Sequence, residues 1–136
     1  MNLLSSYPYL VAAFGSLAFI MLAQLLVADI VGIRSKHIPG TSVVDDHKSL
    51  LFRVGRTVAN TNESIAIFIL ASAFCVACSA SPFATGICAW VYVIARLLYA
   101  LCYYMDWRLM RSVIFGISLL ALGALVIIGS LGFLSK

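Results

Sequence analysis

Polar residues along this chain are few and gathered in clusters, and the apolar stretches between the clusters set the first reading. Apolar runs occupy about residues 8–33, 57–80, 83–105 and 111–134. Each is roughly 20 residues or longer, the length an α-helix needs to cross a hydrocarbon core of about 30 Å. The pattern predicts an all-α integral membrane protein, a single domain over residues 1–136 built as a four-transmembrane-helix bundle. The segment "SASPF" between the second and third runs forces an antiparallel hairpin, with Pro82 acceptable in the first turn of the third helix. "DWRLMR" joins the third and fourth as tightly. Only the first connection is long: "RSKHIPGTSVVDDHKSLLFR" carries Pro39, Gly40 and the pair Asp45–Asp46.

Composition agrees. The chain is 63% hydrophobic and 10% charged, whereas a soluble domain carries about a quarter charged residues. Nucleic-acid binding is excluded for want of a basic, aromatic-interleaved soluble face. The N-terminus has no Lys or Arg ahead of an apolar run too long for a signal-peptide core, so a cleavable leader is not expected. The net charge of +4 is informative by position. Arg34, Lys36, Lys48, Arg53 and Arg56 lie in or beside the first connection, and Arg108 and Arg111 in or beside the third. The second connection has no basic residue and the C-terminus only Lys136. The positive-inside rule therefore puts connections one and three in the cytoplasm and both termini on the non-cytoplasmic side.

Two polar stripes interrupt the apolar pattern. "RVGRTVANTNES" places Arg53, Arg56, Asn60 and Glu63 at i, i+3, i+7 and i+10, an arc of roughly 80° on a helix. Tyr92, Arg96, Tyr99 and Tyr103 fall within about 60° on the third helix. The helices are antiparallel, so the stripes lie at comparable depth and are expected to face each other, with Glu63 meeting Arg96. An ionised group at the bilayer centre costs about 2.5–3.5 kcal/mol on insertion scales. A Glu63–Arg96 pair acting as interhelical glue would need only two groups. Here arginines, an asparagine and tyrosines converge on one glutamate and leave positive charge over, which favours a site for an anionic ligand that also offers Glu63 a cation such as an ammonium. Arg111, in the first turn of the fourth helix, is either a positive-inside anchor or a cation that lowers the pKa of a thiol brought beside it.

These residues resemble a known family. "RVGRTVANTNES" carries R-x-x-R-x-x-x-N-x-x-E, and "ARLLYALCYYMDWRLMRS" carries R-x-x-Y-x-x-x-Y followed by a late arginine. Together, and in this topology over nearly the whole chain, they are similar to the MAPEG family, the membrane-associated proteins of eicosanoid and glutathione metabolism. The resemblance implies glutathione as co-substrate, bound in a U-shape between subunits of a homotrimer. It implies glutathione-binding roles for Arg34, Arg56, Asn60, Glu63, Arg96, Tyr99 and Tyr103, a supporting role for Arg53, and Arg111 as the catalytic residue that stabilises the thiolate. Glutathione has two carboxylates for arginine forks, an ammonium for Glu63 and a thiol for Arg111. Departures from the family pattern are Phe52 before the first arginine, Ile67 four residues after Glu63, and Phe115 one turn beyond Arg111.

The resulting expectation is a membrane glutathione transferase or peroxidase acting on lipophilic electrophiles or lipid hydroperoxides. Its location would be a bacterial inner membrane or the endoplasmic reticulum, with the site on the cytoplasmic side. Alternatives are a non-catalytic lipid-presenting member of the fold and a proton-coupled transporter using Glu63. Other features read as structural. "CVAC" at 75–78 has no basic neighbour and suggests thiols buried at a helix interface. His37 and His47 are too few for a metal site. The "SVVDDHK" loop reads as a solvated connector or a flap over the site. Gly116, Gly123, Gly129 and Gly132 suggest close packing of the last helix.

Overall fold

The computed structural model describes residues 3–135. Lys136, used in the orientation argument, lies outside the described residues. A short α1 (Leu3–Ser6) leads into four long helices: α2 (Pro8–Arg34), α3 (Leu50–Ala77), α4 (Pro82–Tyr104) and α5 (Arg108–Leu134). Their lengths correspond to about 35–42 Å, enough to cross a bilayer, and all four are apolar enough to do so.

Two helix starts differ from the sequence-based expectation. α3 begins at Leu50 rather than near 57, and α5 at Arg108 rather than 111. Apolarity marks where a helix enters lipid, and a helix runs on through polar residues until its backbone is turned. "RVGR" is thus the first, more polar part of α3, not the end of a loop.

The helix stops share one device. Lys36, Ser79 and Asp106 have φ of 54°, 50° and 57°, each two residues past the end of α2, α3 or α4. In each case the next amide reaches back five residues: His37 N–H to the Gly32 carbonyl, Ala80 to Cys75 and Trp107 to Cys102, at 3.0, 2.9 and 2.8 Å. These are Schellman closures, which satisfy carbonyls that the helix leaves unpaired. None uses glycine, so each holds a β-carbon in the left-handed region.

α4 is the most buried helix and packs on α2, α3 and α5. At the centre, the Phe68 ring stacks on Tyr92 with centroids 4.5 Å apart and meets Phe14 edge-on at 5.4 Å. Leu10, Leu17, Val93, Leu122 and Leu125 close the core around them. At the end away from Arg108, the buried Tyr7 hydroxyl donates to the Ala80 carbonyl at 2.8 Å. Burial pushes its phenol above the ordinary value, so it stays a donor. The "CVAC" thiols are free: Cys75 and Cys78 are both buried, and the Cys75 thiol donates to the Leu125 carbonyl.

Only half of the glycine expectation holds. A β-carbon at Gly132 would come within 3.0 Å of the Ala80 Cα, and one at Gly129 within 2.5 Å of Phe74 Cδ1, so these two let α5 approach α3. Gly116 and Gly123 have nothing within 4 Å and perform no such role within the chain.

Candidate functional site

The site is built on Arg96, whose residue is completely buried in α4. Its Nη1 donates to Asn60 Oδ1 on α3 at 2.6 Å, and its Nη2 to Ser118 Oγ on α5. Ser118 passes its own proton on to the Phe115 carbonyl at 2.7 Å. Three rings surround the guanidinium, with Cζ 4.8 Å from the Tyr99 centroid and 5.7 Å from those of Tyr92 and Phe115. Such cation–π contacts and neutral acceptors soften burial of the charge without cancelling it. No carboxylate pairs with Arg96, and its Nε has no partner.

This contact belongs to a polar layer through all four long helices. Tyr92 and Ser64 share a hydrogen bond at 2.7 Å, and Thr61 donates to Gln24 Oε1 at 3.0 Å. The bonds from Arg96 to Asn60 and Ser118, from Tyr92 to Ser64 and from Thr61 to Gln24 each join two helices, so the layer fixes their relative depth.

One turn and more towards the first and third connections, Arg111 lies over Tyr103, with Cζ 4.3 Å from the ring centroid. Its Nη1 is buried without a partner. Tyr103 leans on Tyr99, centroids 5.3 Å apart. A cavity of about 260 Å³ opens here among Asn60, Tyr99, Tyr103, Arg111, Ser112 and Phe115. A larger hollow of about 520 Å³ lies among Phe14, Leu17, Ala18, Met21, Ile65 and Ile69. Its lining is apolar, so it offers no group for chemistry. The smaller cavity joins one cation with a free N–H, Arg111, to phenols and an amide, and among the described residues no carboxylate lines it. It is suited to an anion.

Of the eight residues named from the sequence, five are gathered here: Asn60, Arg96, Tyr99, Tyr103 and Arg111. Arg34, Arg56 and Glu63 are exposed and stand outside the cavity. The expected Glu63–Arg96 contact is absent: the one ion pair among the described residues is Arg108–Asp106, at 3.6 Å. The reason is rotational. The packed face of α3 runs along Val54, Thr57, Thr61, Phe68 and Cys75. Arg56 and Glu63 lie more than about 90° from its centre, while Asn60 lies on its edge. The 80° arc is therefore real but straddles the boundary between the packed and the outward surface.

Arg53, treated as supporting, ties the long connection down. Its Nη1 donates to the His47 and Lys48 carbonyls at 2.8 and 2.9 Å, and its Nη2 to the Tyr104 carbonyl at 3.4 Å. His47 is thereby held with its ring 6.5 Å from Tyr103, nearly parallel, and 4.9 Å from Phe52, edge-on. Sequence reasoning missed Ser118, Ser112 and this placement of His47. Ser118 was signalled only by its spacing, two turns after Arg111 and hence on one face.

The chain matches the profile of the MAPEG family over residues 9–131. The chain belongs to the MAPEG family. No similar sequence was found among curated proteins. As a MAPEG protein it is a multi-pass membrane protein of a family that includes glutathione transferases and related enzymes, and some non-catalytic members. MAPEG proteins use glutathione, a tripeptide thiol with two carboxylates and an ammonium. Part of the donor set around the cavity fits such a ligand: the Tyr99 and Tyr103 phenols and the Asn60 amide for its peptide groups, and a free Arg111 N–H for a carboxylate or the thiol.

Proposed function

We propose that this MAPEG protein is a membrane-bound glutathione transferase or peroxidase that acts on lipophilic electrophiles or lipid hydroperoxides. The observation that carries the reading is Arg111, a half-buried guanidinium with an unpartnered N–H beside the cavity and backed by the Tyr103 ring. A thiolate there gains a charge-assisted hydrogen bond in a setting poor in water, which lowers the thiol pKa. Arginine suits the task because it stays protonated when partly desolvated. Asn60, held from behind by Arg96, forms the floor of the site, with Tyr99 and Tyr103 as its wall.

In a transferase turnover the thiol proton leaves to solvent and the sulfur lone pair forms a C–S bond to the electrophilic carbon. The bond to the leaving group breaks, or a conjugated double bond takes up the electron pair. With a hydroperoxide, the thiolate attacks the O–O bond to give a sulfenic acid, and the alkoxide departs and takes up a proton from solvent as the alcohol. A second glutathione then displaces water from the sulfenic acid to form the disulfide. The electrophile would arrive from the lipid.

Arg34, Arg56 and Glu63 enter this reading through assembly. An ionised residue on a lipid-facing surface costs up to about 2.5–3.5 kcal/mol, so an exposed Arg56 and Glu63 on α3 favour a covered face. A homotrimer with glutathione between subunits would cover it and put all three beside the ligand. The positive-inside distribution supports a cytoplasmic site. The transporter alternative expects Glu63 within the bundle, and its outward position speaks against that.

Equilibrium binding of glutathione to the detergent-purified protein tests the proposal. Saturable binding at or below millimolar concentration is expected. Its absence would refute both the transferase and the peroxidase reading.

A further inference from the structure

One charge in the membrane spans has no place in the site above. Asp29 interrupts the apolar α2, is exposed, and makes no ion pair among the described residues. Counting 100° per residue, it lies about 140° around α2 from Gln24, the residue that meets α3. It therefore points away from the bundle and has no route to a cation on its own α3.

The Gln24–Thr61 hydrogen bond sets the register of α2 against α3. The helices are antiparallel, so five residues towards the cytoplasmic connection lead from Gln24 to Asp29 and from Thr61 to Arg56. Both steps are about 7.5 Å, and Asp29 and Arg56 share one depth. Arg56 is likewise exposed and in no ion pair among the described residues. The other charges on the long helices fit less well. Arg34 lies about 7.5 Å nearer the cytoplasmic end and Glu63 about 10 Å deeper than Asp29. Arg111 faces the cavity within its own bundle rather than an outward surface of α2 or α3. Copies of a membrane protein related by an axis along the membrane normal keep every residue at constant depth. A carboxylate and a guanidinium at matched depth on two outward faces are then complementary between neighbours, and between neighbours only.

We infer that Asp29 of one copy pairs with Arg56 of the next, so that each copy contributes a positioning residue to its neighbour's site. The inference rests on the proposed assembly of copies around a shared site, and it deepens that reading by naming the contact. The carboxylate holds the Arg56 fork in one orientation for an anionic ligand and lets two charges enter the membrane boundary as a pair.

The test uses full-length protein in membranes with the four native cysteines replaced. Mild oxidation of Asp29→Cys/Arg56→Cys should yield covalently linked copies on a non-reducing gel, and neither single variant should. Asp29→Lys and Arg56→Glu should each shift the assembly in detergent to smaller species by tenfold or more. The swap Asp29→Arg/Arg56→Asp should restore it to within about threefold of wild type, and Asp29→Glu should remain close to wild type. Glutathione affinity should fall with Asp29→Asn and recover in the swap less completely than assembly does, because the ligand needs a cation on α3. If single charge reversals leave the assembly unchanged and no cross-link forms, Asp29 is a solvated interfacial residue and the inference is overturned while glutathione binding stands. If the wild-type protein is a monomer by mass, the assembly reading falls with it.

Discussion

Replacing Ser118 with alanine tests the polar layer at its most vulnerable point. The fully buried Arg96 has two side-chain acceptors, Asn60 and Ser118, and its Nε already lacks a partner. Hydrogen bonds to charged groups are worth about 1.5–3 kcal/mol in soluble proteins. Interhelical polar contacts in membranes average nearer 0.6 and reach about 1.7 kcal/mol, because the unfolded helices find other partners in the bilayer. Arg96 is charged and without a carboxylate, which puts the Ser118 contact at the upper end. The expected loss for Ser118→Ala is about 1.5 kcal/mol, close to a tenfold change in the unfolding equilibrium. Unfolding by graded denaturing detergent, followed by circular dichroism, would measure it. The informative control is Arg96→Leu, which removes the charge that needs the acceptor. In that background Ser118→Ala should cost less than about 0.5 kcal/mol, giving a coupling near 1 kcal/mol. Additive losses, or a Ser118→Ala protein as stable as wild type, would refute the claim that Ser118 holds Arg96.

Ser79→Gly removes a β-carbon from the left-handed region at the α3–α4 turn, and stability should rise by up to about 1 kcal/mol in the same unfolding assay. Arg53→Ala frees the His47 and Lys48 carbonyls and the His47–Tyr103 packing, so proteolysis within residues 35–49 should speed up at least severalfold while the helices resist cleavage.

Much of this architecture is legible from apolarity alone, because a bilayer admits few ways to satisfy a backbone and four apolar runs dictate four helices. Helix ends were harder to read. The start of α3 is hidden by the charges of "RVGR", and three stops lack the glycine that would announce them. The site was half legible. Spacing put Arg53, Arg56, Asn60 and Glu63 on one arc, yet the arc alone cannot say which edge turns inward. That depends on where Thr57, Thr61 and Phe68 meet α2 and α4, a property of packing between helices. Glu63 was accordingly assigned a partner that Asn60 and Ser118 already serve. Ser118 in the apolar α5 carries no signal beyond its spacing from Arg111. Its role emerges only once Arg96 is placed opposite. Gly116 and Gly123 make the same point: small residues permit close approach, and packing decides which ones are used.

The central claim is that the cavity beneath Arg111 takes glutathione as its thiolate. Ultraviolet difference absorbance on adding glutathione to the detergent-purified protein tests it directly, since a thiolate absorbs where a thiol does not. A thiolate band should appear with an apparent pKa below the free-thiol value of about 8.5. The bound anion is favoured, so the band should persist as the pH is lowered past that value and vanish only below the depressed pKa. Arg111→Ala should abolish the band at neutral pH while changing glutathione affinity by less than about threefold. A wild-type protein that binds glutathione without a thiolate band, or a band that survives Arg111→Ala, would contradict the account.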